Sequence, residues 1–199
     1  MSTTLEPRGR LLGAVAPALP PLVLTVLMWL SELVDTVLGG FLDQFGIQPR
    51  EVDGLAGVLA SPLLHSGLAH LVANTGAFVV LGVLTALITR RFWAATLGIA
   101  VLGGLAVWLL GADGTVHIGA SGLVYGYATF LFCWGIFVRR ALAMAASLFV
   151  LLAYGGIVWG VLPTQSGVSW EGHLFGALAG VLMAWLLARR QRVVAGRRR

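Results

Sequence analysis

The chain has 199 residues, 58% of them hydrophobic and 11% charged, with a mean hydropathy of +0.92. A soluble body of that length has too little interior to hide so much apolar surface, which excludes a water-soluble globular domain and indicates a membrane protein. The net charge of +5 rests on thirteen basic residues, all arginine, that flank apolar runs; this suits orientation in a bilayer and contact with anionic headgroups better than nucleic-acid binding.

Residues 1–19 read as a cytoplasmic or interfacial segment. Ala14-Val15-Ala16 has the small-residue character of a signal cleavage site, but it follows Arg8 and Arg10 too closely to leave room for a hydrophobic region. Six apolar runs come next, at 20–38, 67–89, 93–110, 121–138, 141–161 and 173–188, each near the roughly 20 residues a helix needs to cross hydrocarbon. Pro17, Pro20 and Pro21 suit the first turn of span one, and Glu32 and Asp35 mark its outer end. Residues 39–66 mix polar and apolar side chains over a length that predicts a membrane-interface segment rather than a solvated loop. Arg90-Arg91 closes span two and Arg139-Arg140 closes span four, while Pro163 stops span five. Arg189-Arg190 ends span six and opens a basic cytoplasmic tail, 189–199. Cys133 lies mid-span among apolar neighbours, and as the single cysteine it excludes an internal disulfide and a Cys-rich zinc site.

The expected fold is therefore an all-α membrane protein with a six-transmembrane-helix domain over 20–188. Every arginine except Arg50 falls on one side of that arrangement and every acidic residue except Glu6 on the other. The positive-inside rule then puts both termini in the cytoplasm. At about 1.5 Å of rise per residue, Ser121, His173, Asn74 and His70 stand roughly 24–30 Å from the arginine pairs closing their spans. Spans two, four and six run the same way, so these side chains share one layer towards the outer face.

Imidazole inside a bilayer is a functional-site signal. Ser121 sits between Gly119 and Gly122 at a helix start, where free N–H groups can face an anion. Taken alone it reads as a small packing residue. Gly172, Gly176 and Gly180 form a stripe beside His173, and Gly122 and Gly126 form a shorter one beside Ser121. Such stripes let two helices approach closely, which would bring hydroxyl and imidazole together as nucleophile and base. Tyr125, one turn after Ser121, is either packing or a ring that orients His173. His70 and Asn74, also one turn apart, can aim donors at a developing oxyanion. No carboxylate is placed to complete a triad, so a dyad is expected. His65 and His117 read as loop residues at the outer mouth, and neither Cys nor a carboxylate joins His65 and His70 in a metal site.

Gly119-Ala120-Ser121-Gly122 with Tyr125, His70 with Asn74 after His65, and Gly172-His173 with Gly176 and Gly180 resemble the rhomboid intramembrane serine proteases. The resemblance covers nearly the whole chain. It implies a rhomboid-like bundle, a Ser121–His173 dyad, an oxyanion site from the Ser121 backbone with His70 and Asn74, and Tyr125 supporting His173. It also implies that no cofactor is needed, and that the chain cleaves single-span or multi-span membrane-protein substrates. One departure is the absence of a Trp-Arg pair in the first outer loop, where Arg50-Glu51-Val52-Asp53 stands instead. The alternative is a catalytically silent relative that binds and escorts membrane helices. A transporter is disfavoured, because broken helices and mid-membrane charges are lacking. Arginine-only flanks and no transit-peptide pattern point to a bacterial plasma membrane, with the site opening to the extracytoplasmic side.

Overall fold

A computed structural model describes residues 16–164 and 167–196, with side chains through residue 191. Arg8, Arg10, Arg197, Arg198, Arg199 and the Arg192 side chain lie outside the described residues. Among those described, six long helices form: α1 Leu19–Val37, α2 Leu68–Thr89, α3 Phe92–Leu110, α4 Ser121–Val138, α5 Ala141–Tyr154 and α6 Trp170–Gly196. By length and composition all six can cross a membrane, α5 together with the 3-10 turns Gly155–Val161 that extend it.

Two elements differ from the sequence reading. The fifth span is not one α-helix, because Gly155-Gly156 weakens helical propensity and the chain tightens into 3-10 turns before Pro163. The sixth helix starts at Trp170 rather than His173 and continues past Arg189-Arg190 to Gly196. Its early start has a polar cause: Ser169 Oγ accepts the Gly172 N–H at 3.1 Å, as an N-cap does.

α4 is the axis of the bundle, with Tyr127 and Phe130 fully buried. Its neighbours are held by hydroxyls that satisfy themselves across helices. Tyr127 Oη pairs with Thr96 Oγ1 of α3 at 2.7 Å, and Thr129 Oγ1 donates to the Ala177 carbonyl of α6 at 2.7 Å. Ser147 Oγ of α5 meets the Phe132 carbonyl at 2.8 Å. Lipid tails are as apolar as leucine, so such contacts and close backbone packing must replace hydrophobic association. The backbone contact is α4 against α6. A methyl on Gly176 would overlap the Gly122 carbonyl, and one on Gly180 would overlap the Gly126 carbonyl. Leu33 and Val37 of α1, Leu109 of α3 and Leu152 of α5 face outward.

The segment between α1 and α2 packs inward as short turns. The single turn Gly57–Ala60 lies on α3, with Val58 against Gly104. Ile47 and His117 exchange backbone hydrogen bonds at 2.9 Å each way. Arg50 anchors this segment: its guanidinium donates to the Leu109 and Gly111 carbonyls at 2.9 and 2.8 Å and pairs with Asp113. Trp108 of α3 donates to the Glu51 carbonyl at 2.7 Å. Glu32 and Asp35 are buried, and Asp35 accepts the Leu42 N–H. Burial, with Asp35 and Glu32 nearby, pushes the Asp43 carboxyl up to about 6.

The α4–α6 contact can be tested by overpacking. Gly176→Ala should lower unfolding stability by roughly 1–3 kcal/mol, read from denaturant or thermal unfolding in detergent micelles. Gly76→Ala, at an α2 position with open space around it, should change little.

Candidate active site

The site forms where α2, α4 and α6 begin. Ser121 is the first residue of α4 and is half-buried. It lines a cavity of about 50 Å³ together with His117, Gly119, Gly122, Ser169, Gly172 and Gly176. On the opposite wall of the α4–α6 seam, His173 is buried and its ring stacks on Tyr125, with centroids 4.1 Å apart and planes within 9°. The glycine contacts that join α4 to α6 thus put a side chain one turn from Ser121 directly against the imidazole.

The imidazole has a defined tautomer. Its Nδ1 lies 2.8 Å from the Gly160 carbonyl, which only accepts, so Nδ1 carries the proton and Nε2 keeps its lone pair. The carbonyl is available for a local reason. In the 3-10 turns of Gly155–Val161 its partner would be the N–H three residues on, and that residue is Pro163. The Ser121 hydroxyl makes no hydrogen bond among the described residues, and His173 makes no other side-chain bond.

The second wall comes from α2. Gly119, at φ +110°, lies so near His70 that an added methyl would sit 2.8 Å from Nε2, so both the backbone angle and the close approach require glycine. The Ser66 N–H and hydroxyl face His70 Nδ1 at 3.4 and 3.2 Å. Nδ1 accepts, so Nε2–H points towards the Gly119–Ser121 turn. Asn74 is buried and donates one amide hydrogen to the His70 carbonyl at 3.0 Å, leaving its second. The Gly119 N–H is taken by the Ser61 carbonyl at 2.8 Å and the Ala120 N–H by His65 Nε2 at 3.3 Å. The next amides, starting with Ser121, have no intrahelical partner. The arrangement can therefore offer a nucleophile, a base, and several donors to negative oxygen.

Two histidines differ from the expectation of mouth residues. His65 is 1% exposed, packs edge-on to His70 at 5.1 Å, and holds the Ala120 amide. His117 is buried, with Nδ1 2.6 Å from Ser169 Oγ and Nε2 2.9 Å from Thr115 Oγ1. Its backbone pairs with Ile47, so one residue joins the α1–α2 segment, the approach to Ser121, and the cap of the helix bearing His173. Sequence reasoning also missed Gly160 and Ser169. Only Pro163, which frees the Gly160 carbonyl, carried a readable signal. Among the described residues no group of three His, Cys, Asp or Glu is placed to hold a metal ion.

A family model, the Rhomboid domain, matches residues 53–190. The chain is 46% identical over 181 residues to an uncharacterized protein of Mycobacterium tuberculosis, covering 86% of this chain and 75% of that one. It is 42% identical over 181 residues to an uncharacterized protein of Mycobacterium leprae, covering 86% and 71%. A Bacillus subtilis protein, YdcA, whose name proposes a rhomboid protease, is 26% identical over 134 residues, covering 65% of each chain.

Burial, with His70 beside it, holds the His65 ring down to about 4. Its folded value is depressed, so the stability it contributes is complete above its ordinary value near 6.5 and is lost as pH falls towards 4. Asp43, with its raised value, acts in the opposite sense over the same range, so the comparison needs a variant. His65→Phe should be less stable than wild type at pH 7, by about 1 kcal/mol for the lost Ala120 bond. That difference should shrink or reverse by pH 4.5 in thermal unfolding scans.

Proposed function

The chain belongs to the rhomboid family, and from that premise we propose that it is an intramembrane serine endopeptidase working through Ser121 and His173. One observation carries the reading: the imidazole beside the α4–α6 seam is stacked on Tyr125, one turn from Ser121, and bonded through Nδ1 to a carbonyl, which leaves Nε2 free to act as a base. Six apolar helices make the chain a multi-pass membrane protein. We further propose that both termini lie in the cytoplasm and that the site opens to the extracytoplasmic side of a bacterial plasma membrane. The substrates are membrane proteins cut in or beside a transmembrane segment.

His173 Nε2 takes the Ser121 proton as Oγ adds to the scissile carbonyl. The oxyanion is met by the unpaired amides at the start of α4, with His70 Nε2–H and the second Asn74 amide hydrogen. The C–N bond then breaks as His173 returns the proton to the leaving amine, giving an acyl-enzyme on Ser121. Water adds to the ester carbonyl with His173 again accepting the proton, and collapse releases the carboxylic product and restores the serine. The shallow position of this layer gives water access. Helical hydrogen bonds shield a substrate's carbonyls, so the chain near the cut must unwind, which small or helix-breaking residues permit.

The experiment is cleavage of a single-span substrate in proteoliposomes. Wild type should cleave it, and Ser121→Ala or His173→Ala should lower the rate at least about 10³-fold. His70→Ala should cost roughly 10²–10³-fold as one oxyanion donor. Gly160→Ala presses a methyl into Tyr125 Oη and His173 Nδ1 and should cost about 10²-fold with the protein still folded. A wild type that binds the substrate and never cuts it would support the escort reading instead.

A further inference from the structure

We propose that the arginine-lined end of the bundle is a binding site for an anionic phospholipid whose headgroup carries two phosphates. The inference is independent of the protease chemistry at the opposite end. α2 and α4 both finish in an arginine pair, and the first arginine of each pair is left-handed: Arg90 at φ 57° and Arg139 at φ 55°. Their N–H groups close the helices on the Ala86 and Gly135 carbonyls at 3.1 and 2.9 Å. Glycine normally fills that position, because a Cβ there is strained. Two helices therefore place a guanidinium at a site where folding alone favours glycine.

These arginines meet at two adjoining cavities. One, of about 580 Å³, is lined by Arg90, Arg91, Arg140 and Gln191, with Trp134 and Leu142 as apolar wall. The other, of about 600 Å³, is lined by Arg139, Arg140 and Gln191. Arg140 and Gln191 belong to both. Among the described residues no carboxylate lines either cavity, and the only ion pair is Arg50–Asp113 at the other end. Among the described residues these four guanidinium groups have no internal counter-ion, and they stand where the spans end, which is where lipid phosphates lie. Guanidinium matches phosphate in planar, paired hydrogen bonds. The apolar wall beside Arg90 and Arg91 suits acyl chains and selects a lipid over a free anion. Two cationic cavities sharing Arg140 fit two phosphates joined by a short linker better than one.

The test uses the full chain in neutral detergent, titrated with diphosphatidylglycerol, phosphatidylglycerol or inorganic phosphate. Native mass spectrometry reads stoichiometry and thermal unfolding reads Tm. Wild type should take up one diphosphatidylglycerol saturably with a rise in Tm, respond less to phosphatidylglycerol, and not respond to inorganic phosphate. Arg90→Gly with Arg139→Gly removes two charges and relieves two strained angles. That variant should be at least as stable as wild type in lipid-free detergent, yet bind diphosphatidylglycerol roughly 30-fold more weakly, at about fivefold per arginine. Arg140→Gln should weaken binding while leaving both helix ends unchanged. Undiminished binding by these variants would overturn the site. A Tm rise with inorganic phosphate equal to that with lipid would overturn the lipid assignment, and equal affinity for the one-phosphate lipid would overturn the two-phosphate fit.

Discussion

The site depends on how closely two backbones approach. The Gly122 and Gly126 carbonyls of α4 rest against Gly176 and Gly180 of α6, with no side chain between. Membrane helices gain little by burying leucine against leucine, so this contact is held by dispersion at short range and by the Thr129 bond to Ala177. Its consequence is chemical. Tyr125 and His173 project from the two helices at the height of Ser121, and only a narrow seam lets their rings stack. A side chain in that stripe would separate them.

The His173 ring is then oriented without a charge. In a soluble triad a carboxylate fixes the histidine tautomer, but a buried carboxylate in hydrocarbon is costly. Here a backbone carbonyl does that work, freed by Pro163. Among the described residues three acidic side chains are buried: Glu32 and Asp35 near the loop end of α1, and Glu171 in the first turn of α6, and none of them hydrogen-bonds the His173 ring. Other supports of the Ser121 turn are equally neutral: the Ser61 carbonyl on Gly119, His65 on Ala120, and His117 bridging to Ser169. The α1–α2 segment is thereby part of the site's frame, anchored through Ile47 and Arg50 to the turn before α4.

Much of this was legible because membrane sequence is constrained one helix at a time. Span positions follow from apolar run length, and the spacing of Gly172, Gly176 and Gly180 marked the packing face before any neighbour was known. Ser121, His173, His70 and Asn74 stood out because polar side chains are rare at such depth. What escaped depends on partners distant in sequence. Nothing around His117 shows that its ring meets Ser169, and Arg50 looks like a solvated loop charge until Leu109, Gly111 and Asp113 surround it. The 3-10 segment was missed because hydrophobicity does not distinguish it from α-helix. Gly155-Gly156 was the local cue.

The central claim is that one hydroxyl and one imidazole across the α4–α6 seam form a single chemical unit. An experimental structure after reaction with a fluorophosphonate tests it directly. The account predicts phosphorus bonded to Ser121 Oγ, its oxygen facing the first amides of α4 and His70 Nε2, and His173 Nε2 within hydrogen-bond reach of the adduct with Tyr125 still stacked. Phosphorus on another residue, or on Ser121 with His173 turned away and other side chains packed between, would contradict it.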